Sequence, residues 1–323
     1  AIEKKIYSLD AIREDEVKEI KKTEEIKLRM DELFAQSTSA SMLKKYLECP
    51  LDFYFRYVMD FGEQESVEEE IENNTFGSFI HETLEQLYTP FTRFDKEGVK
   101  VEPAPRNITS IDVEQMIKDF EVVIHQKFME HFNGDRESFM KGKNYLSYQM
   151  AIDLTRRFLK SEVTFLAKQT KPVFIESLER KYTAEIKVDV FGEIKKVSLV
   201  GYIDRIDSIG EKIRIIDYKS GKVEDKAVKF RARDNDIETT IGSMKSQKHV
   251  LQLLYYVYLY HSNHQILAES SIISFVSGQN KPFTLETTGF SLEEMVEDFP
   301  KYIGKILEEI YDEEVPFTHD FSK

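Results

Sequence analysis

Leu199-Val-Gly-Tyr-Ile-Asp-Arg-Ile-Asp-Ser-Ile-Gly-Glu-Lys-Ile-Arg-Ile-Ile-Asp-Tyr-Lys-Ser-Gly221 is the stretch from which the fold can be read. β-Branched residues alternate with charged ones on both sides of Gly210-Glu211, and a two-residue Gly-X loop suits the right-handed twist of paired strands. The hairpin so closed sets Ile209 against Lys212, Asp207 against Arg214 and Asp204 against Asp217. The opposite charges of Asp207 and Arg214 favour this register. Its other face collects Val200, Tyr202, Asp204, Ile206, Ile213, Ile215, Asp217 and Lys219, apolar but for three charges. Two carboxylates set directly opposite, ~5 Å apart, repel, and a divalent cation between them removes the conflict. Strand alternation returns Lys219 to the side of Asp217. Two carboxylates and an ammonium on one sheet face form a hard-ligand site for Mg²⁺ or Mn²⁺, suited to activating water against a phosphodiester. The alternative is a surface ladder of ion pairs on a two-stranded ribbon.

Alternation of β-branched and charged residues begins already near Phe174, with Gly192 as a second turn, so residues 174–216 predict two hairpins. Before them the pattern is helical. Met42, Leu43, Tyr46 and Leu47 form one apolar face behind the cap signal Ser37-Thr38-Ser39, Pro50 interrupts it, and residues 76–88, 111–132 and 145–167 continue with helical periodicity. After the hairpin, Lys219, Lys222, Lys226, Lys229, Arg231 and Arg233 make a basic segment. A helix over 241–261, a strand or strand pair over 270–288 and an amphipathic helix over 291–311 are predicted beyond it. Residues 1–38 carry only a loose helical pattern and read as a linker or peripheral helix, and residues 39–323 as one domain with a helical N-terminal half.

With 41% hydrophobic and 32% charged residues, 13 Gly and 8 Pro, the 323-residue chain falls outside the collagen-like, low-complexity and disordered classes. Its longest apolar run, 251–260, is interrupted by Gln252 and is far shorter than the ~20 residues that span a bilayer, and no secretory signal opens the chain. A cytoplasmic protein with no membrane partner is expected. Cys49 is the one cysteine, so this chain alone builds neither a disulfide nor a Cys-based zinc or iron–sulfur site, and its thiol is expected to be buried as a small apolar group. The net charge of −14 argues against coating nucleic acid by bulk electrostatics, so a polyanion must be held by a local patch, a metal or a second subunit. No G-x-x-x-x-G-K-[ST] loop is present, which disfavours an ATP-driven motor. The opening at Ala1 reads as a piece of something longer.

Gly201-Tyr-Ile-Asp204-Arg205-Ile-Asp207 followed by Ile216-Asp217-Tyr218-Lys219-Ser220-Gly221 resembles the PD-(D/E)XK nuclease superfamily, specifically the RecB/AddB-type nuclease domains of helicase–nuclease complexes. Three outlying motifs agree in order: Ser41-Met-Leu-Lys-Lys-Tyr46-Leu-Glu-Cys49-Pro50-Leu-Asp-Phe53, Gly77-Ser-Phe-Ile-His81 and Gln252-Leu-Leu-Tyr-Tyr256. The resemblance implies an α/β fold with a restriction-endonuclease-like core, a small mixed sheet flanked and wrapped by many helices. It implies Asp204 and Asp217 as metal-binding carboxylates, the Tyr218 carbonyl and His81 as further metal ligands, and Lys219 as the catalytic lysine. Gln252 and Tyr256, one helical turn apart, would position Lys219, water or a phosphate. Glu176 or Glu179 would be an additional acidic residue. Many relatives join the Cys of the Cys-Pro pair to three C-terminal cysteines around a [4Fe-4S] cluster, and those three are absent before Lys323, so no cluster is expected in this chain.

The expected activity is Mg²⁺- or Mn²⁺-dependent hydrolysis of DNA, exonuclease in preference to endonuclease, within a DNA repair helicase–nuclease that supplies the motor as a helicase subunit or domain. Lys222, Lys226, Lys229, Arg231 and Arg233 would guide the strand locally. The rival reading is an inactive scaffold that binds DNA or a helicase and keeps a nuclease-like fold.

Overall fold

The computed structural model describes residues 19–61, 70–231, 237–247, 249–277 and 281–319. Helices come first: α1 (Glu24–Gln36), α2 (Ala40–Glu48), α3 (Pro50–Phe53), α4 (Asn73–Tyr88), α5 (Ser110–His131) and α6 (Gly142–Ala167). The Ser39 hydroxyl accepts the Met42 N–H and starts α2. Pro50 opens a new helix at its first turn, where a missing N–H costs nothing, and a π-helical turn over Tyr54–Val58 follows. Met30 and Phe34 of α1 are buried in the core.

A three-stranded meander follows, β1 (Val173–Val190), β2 (Glu193–Ile209) and β3 (Lys212–Lys219), with Gly192 and Gly210 at positive φ in the two turns. After β4 (Lys229–Arg231) the chain runs through α7 (Ile237–Ser246), α8 (Val250–His264), β5 (Glu269–Ser274), β6 (Phe283–Thr284), β7 (Glu286–Thr288), α9 (Leu292–Glu297) and α10 (Phe299–Tyr311). Two predicted single helices are therefore each broken in two. Between α7 and α8 the His249 N–H is drawn to the Ala227 carbonyl at 3.2 Å. Between α9 and α10 the chain restarts at Pro300, which supplies no N–H and sits in the first turn of α10.

The main sheet has the order β1-β2-β3-β5-β6; β3 and β5 are parallel and the other pairs antiparallel. A parallel pair needs a crossover, which α7 and α8 provide. The fold is thus mixed α/β, a small sheet wrapped by helices. One core packs α2, α8 and α10 on Leu199, Ile203, Ile206 and Ile215. A second packs α4, α5 and α6 on Ile175, Leu178, Ile216, Tyr218 and Ile273. Ile215 and Ile216 enter opposite cores, so β3 is covered on both faces, and the exposed two-stranded ribbon is excluded. No helix among the described residues is long and apolar enough to cross a membrane.

Candidate active site

The β2–β3 hairpin has the register that its charges and Gly210 favour: Ile209 pairs with Lys212, Asp207 with Arg214 and Arg205 with Ile216. Beyond Arg205 the strands part into a fork, where the Asp204 carboxylate, through Oδ2, takes the Tyr218 N–H at 2.7 Å. On the far side of β2, Leu178 pairs with Arg205 and Arg180 with Ile203, so Glu179 lies opposite Asp204. The Glu179 backbone is left-handed, with φ of 46°. Strand alternation slips along this line: Leu178 and Tyr182 enter opposite cores although four residues apart, and Ile203 and Ile206 share one core although three apart. The face read from alternation alone is therefore corrected. Ile206 and Ile215 are core residues, whereas Tyr202 turns out into an open cleft of about 530 Å³ that His81, Glu179, Tyr218 and Lys219 also line.

His81 enters from α4, with Nδ1 3.6 Å from Asp204 Oδ2 and 3.9 Å from Glu179 Oε1. Each of these three side chains offers a ligand atom, and the three atoms lie within 4.8 Å of one another. Asp217 is 2% exposed; its Oδ1 accepts from Gln252 Nε2 at 2.8 Å, and its Oδ2 lies 2.9 Å from Lys219 Nζ. Gln252 Nε2 also reaches the Tyr256 hydroxyl at 3.1 Å. The His81 ring meets the Tyr218 ring edge-on, with centroids 5.7 Å apart. His81, Asp204, Asp217, Tyr218, Lys219, Gln252 and Tyr256 thus converge at the fork. Two glycines let the helices approach it: a Cβ on Gly77 would lie 3.2 Å from Ser220 Oγ, and one on Gly201 would lie 2.7 Å from Leu259 Cδ1. Gly201→Ala is expected to cost about 1–3 kcal/mol by overpacking against α8, read as a lowered melting temperature; an unchanged value would contradict this close approach.

Charge is concentrated here beyond what the protein alone compensates. Burial, then the charges of Asp217 and Glu179, hold the Asp204 carboxyl well above the usual range. Burial and the neighbouring Glu85 push Glu179 up to about 7. Burial lowers His81, favouring the neutral imidazole that a metal requires. Burial works against the Lys219 ammonium, but Asp217 and Asp204 outweigh it and keep the lysine charged. A carboxyl raised in the folded state binds an extra proton there, so its contribution to stability is present at low pH and lost as pH rises through its folded value. For Glu179 the window runs from about 4.5 to about 7 and the loss amounts to about 3 kcal/mol. In EDTA, Glu179→Gln should therefore gain in melting temperature over the wild type between pH 5 and pH 8; a constant difference would refute the burial of this carboxyl.

The donor set fits a hard divalent cation: two oxygen ligands and one imidazole converge, with the buried Asp217 Oδ2 taking no hydrogen bond apart from its ion pair. Glu176 stands apart, engaged by Arg93 at 3.1 Å and by the Ser208 hydroxyl, so of the two candidates Glu179 is the acid beside His81.

The basic segment is less free than its composition implies. Lys222 and Lys226 both pair with Glu224, and Lys229 pairs with Glu286 at 3.3 Å. Arg231 ends β4, and Arg233 lies outside the described residues. The Cys49 thiol is corrected from buried to partly exposed, because it caps α3 by taking the Asp52 N–H at 3.4 Å and faces His319 Nδ1 at 3.0 Å. Arg205 is the residue that pattern reading passed over. Fully buried, it donates to Asp207 Oδ1 at 2.7 Å and Oδ2 at 3.0 Å, to Glu162 Oε2 at 2.8 Å and to the Tyr218 hydroxyl at 3.2 Å. Asp207 is thus held chiefly by Arg205, with Arg214 farther away at 3.6 Å.

A model of the PD-(D/E)XK nuclease superfamily matches residues 37–322, most of the chain and every element of the fork. The chain belongs to this superfamily. This PD-(D/E)XK chain is also similar to three bacterial proteins, each named as one of the subunits of an ATP-dependent helicase/deoxyribonuclease. The one from Clostridioides difficile is 27% identical over 219 residues, 63% of this chain and 17% of the relative. That of Clostridium acetobutylicum is 30% identical over 193 residues, 57% of this chain and 15% of the relative. That of Carboxydothermus hydrogenoformans is 23% identical over 284 residues, 83% of this chain and 22% of the relative. The PD-(D/E)XK chain therefore spans under a quarter of the length of these relatives.

Proposed function

We propose that this chain is a Mg²⁺- or Mn²⁺-dependent deoxyribonuclease, acting from DNA ends as the nuclease part of a cytoplasmic DNA repair helicase–nuclease. The observation that carries the reading is the convergence of His81, Glu179 and Asp204 beside the Asp217–Lys219 ion pair. His81, Glu179, Asp204 and Asp217 would hold the cation, which when bound supplies Lewis-acid polarisation of the phosphate and a lowered pKa for water. Lys219 remains protonated and offsets the charge that builds on the phosphate oxygens in the transition state. Gln252 ties the Asp217 carboxylate to α8, and the Tyr256 hydroxyl one turn along the same helix holds the Gln252 amide in place. The helicase partner follows from the names of the relatives. The rival scaffold has no use for the mutual repulsion of Asp204, Glu179 and Asp217, which Lys219 offsets only in part and a bound cation would relieve.

Incubating the chain with end-labelled linear and with circular DNA, single- and double-stranded, in Mg²⁺ or in excess EDTA, tests the reading. Cleavage of linear DNA that requires Mg²⁺ is expected, with circles spared; cleavage that survives EDTA, or none on any substrate, contradicts it. Glu179→Gln should weaken Mn²⁺ binding by about 10-fold or more in a calorimetric titration, and Glu176→Gln should leave it unchanged. Equal effects of the two would remove Glu179 from the metal set.

A further inference from the structure

The cleft at the fork contains a group that the proposed chemistry does not use. Tyr202 is 56% exposed, and of the described tyrosines only it and Tyr145 are exposed. Among the described residues its ring packs on no other aromatic ring and its hydroxyl makes no hydrogen bond. It is nonetheless held in place. Its neighbours Gly201 and Ile203 are buried, Gly201 directly against Leu259 and Tyr256 of α8, so the ring projects from a clamped strand two residues before Asp204.

The electrostatics of the cleft say what such a ring is for. Glu82, Glu85 and Glu179 line it against Lys96 and Lys219, and Lys96 is already paired with Glu85 at 2.5 Å. Beyond the one phosphate that a cation and Lys219 would engage, a wall with an excess of acids has little positive charge left to neutralise the flanking phosphates, which is the usual source of affinity. Stacking of a base on an aromatic ring needs no charge and tolerates any sequence, because every base has a π-face. That face is accessible only when the base is unpaired and unstacked from its neighbours.

We propose that Tyr202 is the stacking platform for a nucleobase next to the scissile phosphate, so that the cleft accepts an unpaired strand. This rests on the nuclease reading above. Tyr202 is here a positioning residue for substrate, and metal binding does not depend on it.

Equilibrium binding of a single-stranded oligonucleotide carrying 2-aminopurine, with Ca²⁺ in place of Mg²⁺, tests the proposal without requiring cleavage. Tyr202→Ala should weaken binding on the order of 10-fold and abolish the stacking-induced quench of the probe, and Tyr202→Trp should retain both. An abasic site at the stacked position should cost the wild type the same factor and cost Tyr202→Ala nothing further, a non-additivity that a merely structural role would not produce. Equal affinity of wild type and Tyr202→Ala, or an equal abasic penalty in both, overturns the proposal. A chain that binds in this way but never cleaves contradicts the nuclease reading and leaves this one standing.

Discussion

Asp217→Asn is expected to slow Mg²⁺-dependent cleavage of linear DNA on the order of 10²–10³-fold while leaving the fold intact. The asparagine carbonyl can still accept from Gln252 Nε2, so the tie to α8 survives. What is lost is the negative charge that faces Lys219 at 2.9 Å and completes the carboxylate set of the fork. Lys219→Ala should give a loss of the same order for the complementary reason: no other described side chain brings a positive charge to Asp217. Melting curves run beside the assays separate catalysis from folding. Either variant within about threefold of the wild-type rate would show that the reaction centre lies elsewhere.

The second large effect concerns stability. Arg205→Met is expected to destabilise the protein by about 3–5 kcal/mol, a drop on the order of 10 °C in melting temperature, because Asp207 and Glu162 are left buried and charged without their main partner. Lysine should rescue poorly, since it lacks the planar fork that reaches both carboxylates and the Tyr218 hydroxyl. Removing the acids together with the arginine, as Arg205→Met with Asp207→Leu and Glu162→Leu, should recover only part of the loss, because buried Arg214 then loses Asp207 and the Tyr88 hydroxyl loses Glu162. A single Arg205→Met variant as stable as the wild type would contradict the buried network.

Both effects centre on one hairpin, and how far that hairpin was legible depends on what kind of information fixes each residue. The register is readable because Gly210 marks the turn and the charges of Asp207 and Arg214 are complementary. The convergence of Asp204, Asp217 and Lys219 followed from it. Glu179 could not be separated from Glu176 in the same way. The choice depends on a left-handed backbone at Glu179 and on a slip in alternation that no two-residue period contains. For the same reason alternation places Tyr202 on an apolar face that it does not share.

Arg205 escapes a reading by alternation because its partner Glu162 comes from α6, far away in sequence, and a charged residue in an alternating strand reads as solvent-facing until both faces are known to be covered. The helix breaks before Val250 and at Asp298 were hidden because one is set by a tertiary hydrogen bond from His249 to Ala227 and the other by a proline that starts a helix as readily as it ends one. The lysines after the hairpin looked like a free basic patch because Glu286, the partner of Lys229, lies on a distant strand.

Anomalous diffraction from crystals of the chain soaked in Mn²⁺ tests the central claim most directly. A peak bonded to His81, Glu179 and Asp204, lost in crystals of Glu179→Gln, is the predicted result. A Mn²⁺ peak bound elsewhere, with no density at the fork under conditions that support cleavage in solution, would contradict the account.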